Sequence, residues 1–236
     1  MMLDFLGGMV LVAVIVLNAS ALITALAVSG RTKLLLAGAV GLWTGLQYAL
    51  AAAGVFASEF AATVPVVGLM VMLPLAVVAV ASAWSRDVRT ALVELPLPLL
   101  VGLNVSRVFG AFFLFLAAAG RLGGPFPQSA GWGDVLTGLA AIPVAVMAVR
   151  GAASRAMIGG WNLFGAADLV VAVSLGVISA AGPLRLIEAG AGSSAVLSLP
   201  WSLIPTVLVP FYLVVHGIVH AKLRAAPRGG VVPGAA

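Results

Sequence analysis

The sequence predicts an all-α, polytopic bundle of about seven transmembrane helices, with the N-terminus outside and the C-terminus cytoplasmic. Three observations predict it. Hydrophobic residues make up 63% of the chain and charged ones 8%, with a mean hydropathy of +1.22, so a soluble domain could not cover its surface with polar groups. Apolar sequence runs continuously between short gaps, in stretches suited to a hydrocarbon layer about 30 Å thick. Nine of the twelve Lys and Arg residues crowd into four alternate gaps. Period-two alternation of polar and apolar residues is absent, which excludes a β-barrel.

The first run, Leu3–Val28, begins with Asp4 rather than a basic region and is too long for the core of a signal peptide, so it is read as a retained helix. The second, Leu34–Phe56, carries Gln47 at mid-helix as interhelical glue. The third, Val64–Ala83, contains Leu73-Pro74-Leu75, and the fourth, Leu95–Ala119, holds Asn104 and Arg107 near its middle. Gly123 to Asp134 is rich in Gly and Pro and predicts a compact turn, with Trp132 at the headgroup level. Asp134 then serves as the N-cap of a short fifth helix, Asp134–Val149. The sixth run, Met157–Ala181, carries Asn162 and Asp168. In the seventh, Trp201–Ala221, Pro210 removes a backbone donor and frees a carbonyl ahead of His216 and His220. Residues 1–222 thus form a single transmembrane bundle, and residues 223–236 a disordered cytoplasmic tail of small residues with Gly and Pro.

Orientation follows from the cations. Arg31 and Lys33, Arg86 and Arg89, Arg150 and Arg155, then Lys222, Arg224 and Arg228 mark the cytoplasmic gaps, whereas the opposite gaps hold only Arg121 and Arg185 beside Glu59 and Glu188. Seven crossings in this sense permit a three-plus-one-plus-three arrangement with helix 4 as connector. Trp43 and Trp161, and Pro74 and Pro210, fall at corresponding places of the two triplets.

Arg107 and Asp168 lie at similar depth, and a lone charge at a helix centre is unfavourable by about 2.5 to 3.5 kcal/mol. They are expected to pair inside the bundle, with Asn104 and Asn162 adding hydrogen bonds. Such a pair either clips two helices together or lines a solvated path for a substrate, an anion or a proton. Asp134 has a second reading beside the cap, at the outer mouth of a cavity leading to Asp168. His216 and His220 are four apart on one helix face, a spacing that can hold a metal but cannot place both rings on opposite sides of one haem. His216 is therefore read first as a hydrogen-bonded interior histidine or a proton-relay member, and His220 as an interfacial residue beside Lys222. No cofactor is expected, with haem b or a metal at His216 as the alternative.

The absence of cysteine excludes thiol nucleophiles, disulfides and thiolate metal sites. No serine sits in a nucleophile elbow, the glycine pairs lack phosphate-loop spacing, and nothing points to nucleic acid, so no catalytic residue is assigned. The last run, ending at Ala221, has no lysine for a retinal Schiff base.

The succession Arg107-Val108-Phe109-Gly110, Ala130-Gly131-Trp132-Gly133-Asp134, Trp161-Asn162-Leu163-Phe164-Gly165-Ala166-Ala167-Asp168 and Leu208-Val209-Pro210 to His216 resembles a family of small uncharacterised bacterial integral membrane proteins. The resemblance implies a bacterial cytoplasmic membrane and no particular activity. In topology alone the layout is similar to that of small sugar permeases. The function expected is a small-solute or proton-coupled transporter; the alternatives are a non-catalytic subunit of a larger membrane complex and a haem- or metal-binding redox protein. The expected partners are the lipid bilayer, an unknown small solute or proton, and a further subunit or second copy of the chain.

Overall fold

The computed structural model describes residues 1–181 and 184–225. Within them the chain is helical and contains no strand. Among the described residues seven helices are long and apolar enough to cross a membrane: helix 1 (Met2–Ala25), helix 2 (Gly30–Ala52), helix 3 (Val66–Trp84), helix 4 (Leu97–Ala118), helix 5 (Phe126–Val149), helix 6 (Arg155–Ser179) and helix 7 (Ile204–Ala225). The chain is a multi-pass membrane protein. Its surface follows the inside-out logic of lipid as solvent: Leu34, Leu42 and Leu163 face outward, while Asn18, Gln47, Asn104, Arg107, Thr137, Asn162 and His216 are buried.

Local chemistry starts several of these helices. Ser29, Ser85 and Ser154 each accept a hydrogen bond from the backbone N–H three residues on, capping helix 2, the short helix Arg86–Glu94 and helix 6. Helix 5 begins at Phe126, not at Asp134. Pro127 sits in its first turn, where a missing N–H leaves no bond unmade, so the Gly- and Pro-rich stretch read as a turn is helix from Phe126 onward. The turn itself shrinks to the residues before Phe126, with Gly124 at φ +71°. Helix 7 runs on past Ala221 and so includes Lys222, but at its end, where Nζ donates to the carbonyl of Val93. A lysine is thus present in the last helix, far from its middle. Residues 223–225 are helical, and the rest of the expected tail, 226–236, lies outside the described residues.

Helices 4, 5, 6 and 7 make the tightly packed centre, with helix 5 between helices 4 and 6. Helix 3 packs on helix 7, and helices 1 and 2 pair at the edge, helix 1 also touching helix 4. Helix 4, the connector in a three-plus-one-plus-three layout, therefore lies at the centre. Trp43 donates to the carbonyl of Thr206 in helix 7, and Trp161 to that of Thr137 in helix 5, so the two tryptophans do not play equivalent parts.

Among the described residues, beside a small apolar core of Ala51, Phe56 and Val66 at the 2–3 connection, two large ones fill the bundle. One, toward the 2–3, 4–5 and 6–7 loops, includes Leu11, Val71, Phe113, Phe126 and Trp201; the other, toward the opposite face, includes Leu100, Val144, Ile158, Val215 and Val219. At the first face Asp4 Oδ1 accepts from Arg121 Nη1 at 2.7 Å and from Trp201 Nε1 at 2.8 Å, tying helix 1 to the 4–5 and 6–7 connections.

A buried arginine between two carboxylates

Between the two cores lies a cluster of charge. Helix 4 tightens to a 3₁₀ turn over Leu103–Gly110, which carries Arg107 inward. Asn104 favours that tightening, because its Nδ2 donates to Leu100 O, the acceptor that an α-helix would give to its own backbone N–H. The side chain of Arg107 is fully buried, with 0% exposure. Its Nε donates to Asp134 Oδ1 at 2.7 Å and its Nη2 to Asp168 Oδ2 at 2.5 Å. Nη1 reaches Gly165 O at 3.1 Å and His216 Nε2 at 3.2 Å, and the guanidinium lies over the Tyr212 ring, 5.8 Å from its centroid. The fork geometry of arginine suits this division among helices 5, 6 and 7.

The hydrogen bonds also determine the state of His216. A guanidinium only donates, so Nε2 accepts and the proton sits on Nδ1, which donates to Asn162 Oδ1 at 2.8 Å. Asn162 Nδ2 returns a bond to the backbone carbonyl of His216 at 3.2 Å. Asn162 thus reaches the ion cluster through His216, and both ring nitrogens of that histidine are occupied. His220, one turn on, is exposed and joins no site with it. Among the described residues no group of three or more His, Asp and Glu is placed to hold a metal.

Close approach at three glycines makes the cluster possible, a Cβ on Gly110 falling 2.3 Å from that of Asp134. A Cβ on Gly133 would lie 1.6 Å from Asp168 Oδ1, and one on Gly165 would lie 2.6 Å from His216 Cε1. Any larger residue at either of these last two places would force helix 5 from helix 6, or helix 6 from helix 7.

Formally the cluster is unbalanced. One guanidinium faces two carboxylates, so it carries a net charge of −1 unless it also holds a proton or another cation. Asp134 Oδ2 and Asp168 Oδ1 accept no hydrogen bond from the described residues.

A cavity leads to this point. Its volume is about 150 Å³; it lies between helices 3, 6 and 7 and runs from the 2–3 and 6–7 loops down to Asp134. A second space of about 20 Å³, room for roughly one water, touches Arg107, Asp134, Ser106 and Tyr212 on the helix 1 side. Beyond the cluster, toward the opposite face, the second apolar core closes the bundle.

A family model for a domain of unknown function, DUF8737, matches residues 61–224. The chain belongs to the DUF8737 family. No curated protein and no solved structure matches it. The DUF8737 match takes in Arg107, Asp134, Asp168, Asn162 and His216, so the whole cluster lies in the family's own region, whereas helices 1 and 2 precede it.

Within this DUF8737 chain, the pair expected from the sequence, Arg107 with Asp168, is formed. Asp134 is not an N-cap: it is the third member of the ion cluster, inside helix 5, and it stands at the inner end of a cavity rather than at the outer mouth. Asn104 adds nothing to the pair, since it bonds to its own helix, and its Oδ1 is buried without a partner. Three polar residues escape the sequence reading. Tyr212 Oη, Ser106 Oγ and Asn18 Nδ2 hydrogen-bond one another beside Arg107, at 2.8 to 3.2 Å, and join helices 1, 4 and 7. In the sequence Asn18 only begins a glycosylation-like triplet within a helix, which carries no signal of what faces it. Gln47 does act between helices, its Nε2 donating to Met70 Sδ of helix 3 at 3.5 Å.

Proposed function

We propose that this protein is a small transporter or permease in which a solute, coupled to a proton, crosses at Arg107, Asp134 and Asp168. The observation that carries the reading is one-sided access: a cavity descends to the ion cluster from one face while packed apolar side chains close the other. A binding site near the midplane, open to one side at a time, is the arrangement alternating access requires. A purely structural clip needs one carboxylate for one guanidinium. The second carboxylate leaves an excess charge in a low-dielectric setting, which a travelling proton or cation relieves.

The elements around the cluster have the means to rearrange. Helix 4 is tightened at Arg107, helix 3 contains Pro74, and helix 7 widens to a π-turn over Ile204–Leu208 before Pro210. His216, locked as the Nδ1–H form with both ring nitrogens bonded, holds Arg107 in place, and the two carboxylates are the groups that take up and release a proton. The distribution of Lys and Arg supports a cavity mouth on the outside and a closed core on the cytoplasmic side, in a bacterial cytoplasmic membrane.

The test is a solute screen in proteoliposomes that enclose a pH-sensitive dye. Sugars, amino acids, organic amines and carboxylates are each supplied outside, and one class should shift internal pH with wild-type protein and fail to do so with Asp168→Asn. If no class distinguishes wild-type vesicles from protein-free ones, the protein is a non-catalytic subunit and the transport reading is lost.

A further inference from the structure

The walls of the cavity say what kind of molecule it takes. Phe113, Phe126, Leu169, Val173, Val196 and Ile204 line it, and Asp134 is the one ionisable residue that reaches it among the described residues. Its few hydroxyls are already committed: Ser58 donates to Val55 O, Thr63 to Phe60 O and Ser193 to Gly176 O. A sugar or a zwitterion would find almost nothing to bond along these walls, and its desolvation would go uncompensated. An inorganic cation needs a close shell of oxygen ligands, and among the described residues Asp134 is the one carboxylate in the walls, the hydroxyls of Ser58, Thr63 and Ser193 lying in the loops and short helix near the mouth. An anion would meet a carboxylate without reaching the guanidinium, whose donors are turned to Asp134, Asp168, Gly165 and His216.

We propose that the cavity between helices 3, 6 and 7 binds a largely apolar organic molecule bearing one positive charge, whose charge is met by Asp134. This deepens the transport reading, on which it rests, by naming the substrate class. Two features support that occupant. The lining is apolar from the mouth to the floor, so the body of the ligand gains by leaving water. The floor carries Asp134, which shares the one guanidinium of Arg107 with Asp168 behind it, so a single positive charge at Asp134 completes the balance. A proton answers the same excess charge and therefore competes with the ligand. The other charged or titratable groups facing Asp134 are Arg107 of helix 4, Asp168 of helix 6, and Tyr212 and His216 of helix 7. Helix 3 has none, and helix 1 has only Asp4 at its far end.

Benzyltrimethylammonium is a suitable probe, because replacing its nitrogen by carbon gives neopentylbenzene, of the same shape without the charge. Equilibrium dialysis of the labelled cation against the full chain in lipid nanodiscs, with empty nanodiscs as blank, should show saturable binding that weakens in acid. Neopentylbenzene should compete poorly, and Asp134→Asn should weaken binding by about tenfold or more. Should Asp134→Asn fail to fold, Ala172→Phe, which fills the cavity and removes no member of the ion cluster, should abolish binding instead.

Equal competition by neopentylbenzene would mean that the cavity is a slot for lipid tails and would overturn the assignment, as would binding unchanged by Ala172→Phe. The liposome screen keeps the two conclusions separate. Proton movement driven by another solute class, with no cation bound here, overturns this assignment and leaves transport standing. Cation binding without proton movement supports the site and removes the transport reading.

Discussion

Arg107 is a permanently charged group with its whole side chain out of water, and two carboxylates answer it. Arg107→Met alone leaves both carboxylates buried without a partner and should cost about 3–5 kcal/mol. The triple variant Arg107→Met, Asp134→Leu, Asp168→Leu removes every member at once and should be about as stable as the wild type, because a well-packed apolar substitute for a buried ionic group is often neutral. Thermal unfolding in detergent compares the two, and proton flux in liposomes should be absent from both. A triple variant that transports normally would show that the ions serve only packing. The meeting of Arg107 with Asp168 is legible in the sequence, since two unlike charges at equal depth in lipid have few other resolutions. The part of Asp134 is not. An aspartate after glycines reads as a cap, and the competing start signal, Pro127 in a first helical turn, carries no greater weight until helix 5 is seen packed on helix 4.

At the scale of the element, Pro210 and Trp43 depend on each other. Pro210 has no N–H to give to Thr206 O, four residues earlier, and the indole of Trp43 donates to that carbonyl at 3.0 Å. Trp43→Phe should therefore cost about 1 kcal/mol beyond its lost packing. In a Pro210→Ala background the helix supplies its own donor, so the same substitution should cost less. A double-mutant cycle on unfolding free energy measures the difference, and strictly additive penalties would refute the coupling. The freed carbonyl could be read from a proline within an apolar run. Its partner could not, because the pairing of helix 2 with helix 7 is a tertiary contact. Helix 4 shows the same limit: its apolar run is evident, but the tightened turn at Arg107 depends on Asn104 bonding back to Leu100 and on close packing against helix 5.

For the whole molecule, the prediction concerns water. The chain has no cysteine, so single cysteines report without background. Val173→Cys, in the cavity wall, should react with a membrane-impermeant thiol reagent added from the side of the cavity mouth, and Val219→Cys, in the closed core, should not. Labelling of Val219→Cys at the same rate would mean that the bundle is open to both faces. The sequence by itself determined that seven runs are long and apolar enough to cross, where they lie, apart from the start of helix 5, and that Arg107 and Asp168 need partners. Hydrophobic thickness and the exclusion of charge act on each segment separately, so local composition carries them. Only the tertiary structure decided that Asp134 joins the pair, that His216 is held by Asn162, and that a cavity ends at the cluster. Those outcomes depend on how each helix is rotated against its neighbours, and close approaches at Gly133 and Gly165 set that rotation only once the facing side chains, Asp168 and His216, are in place.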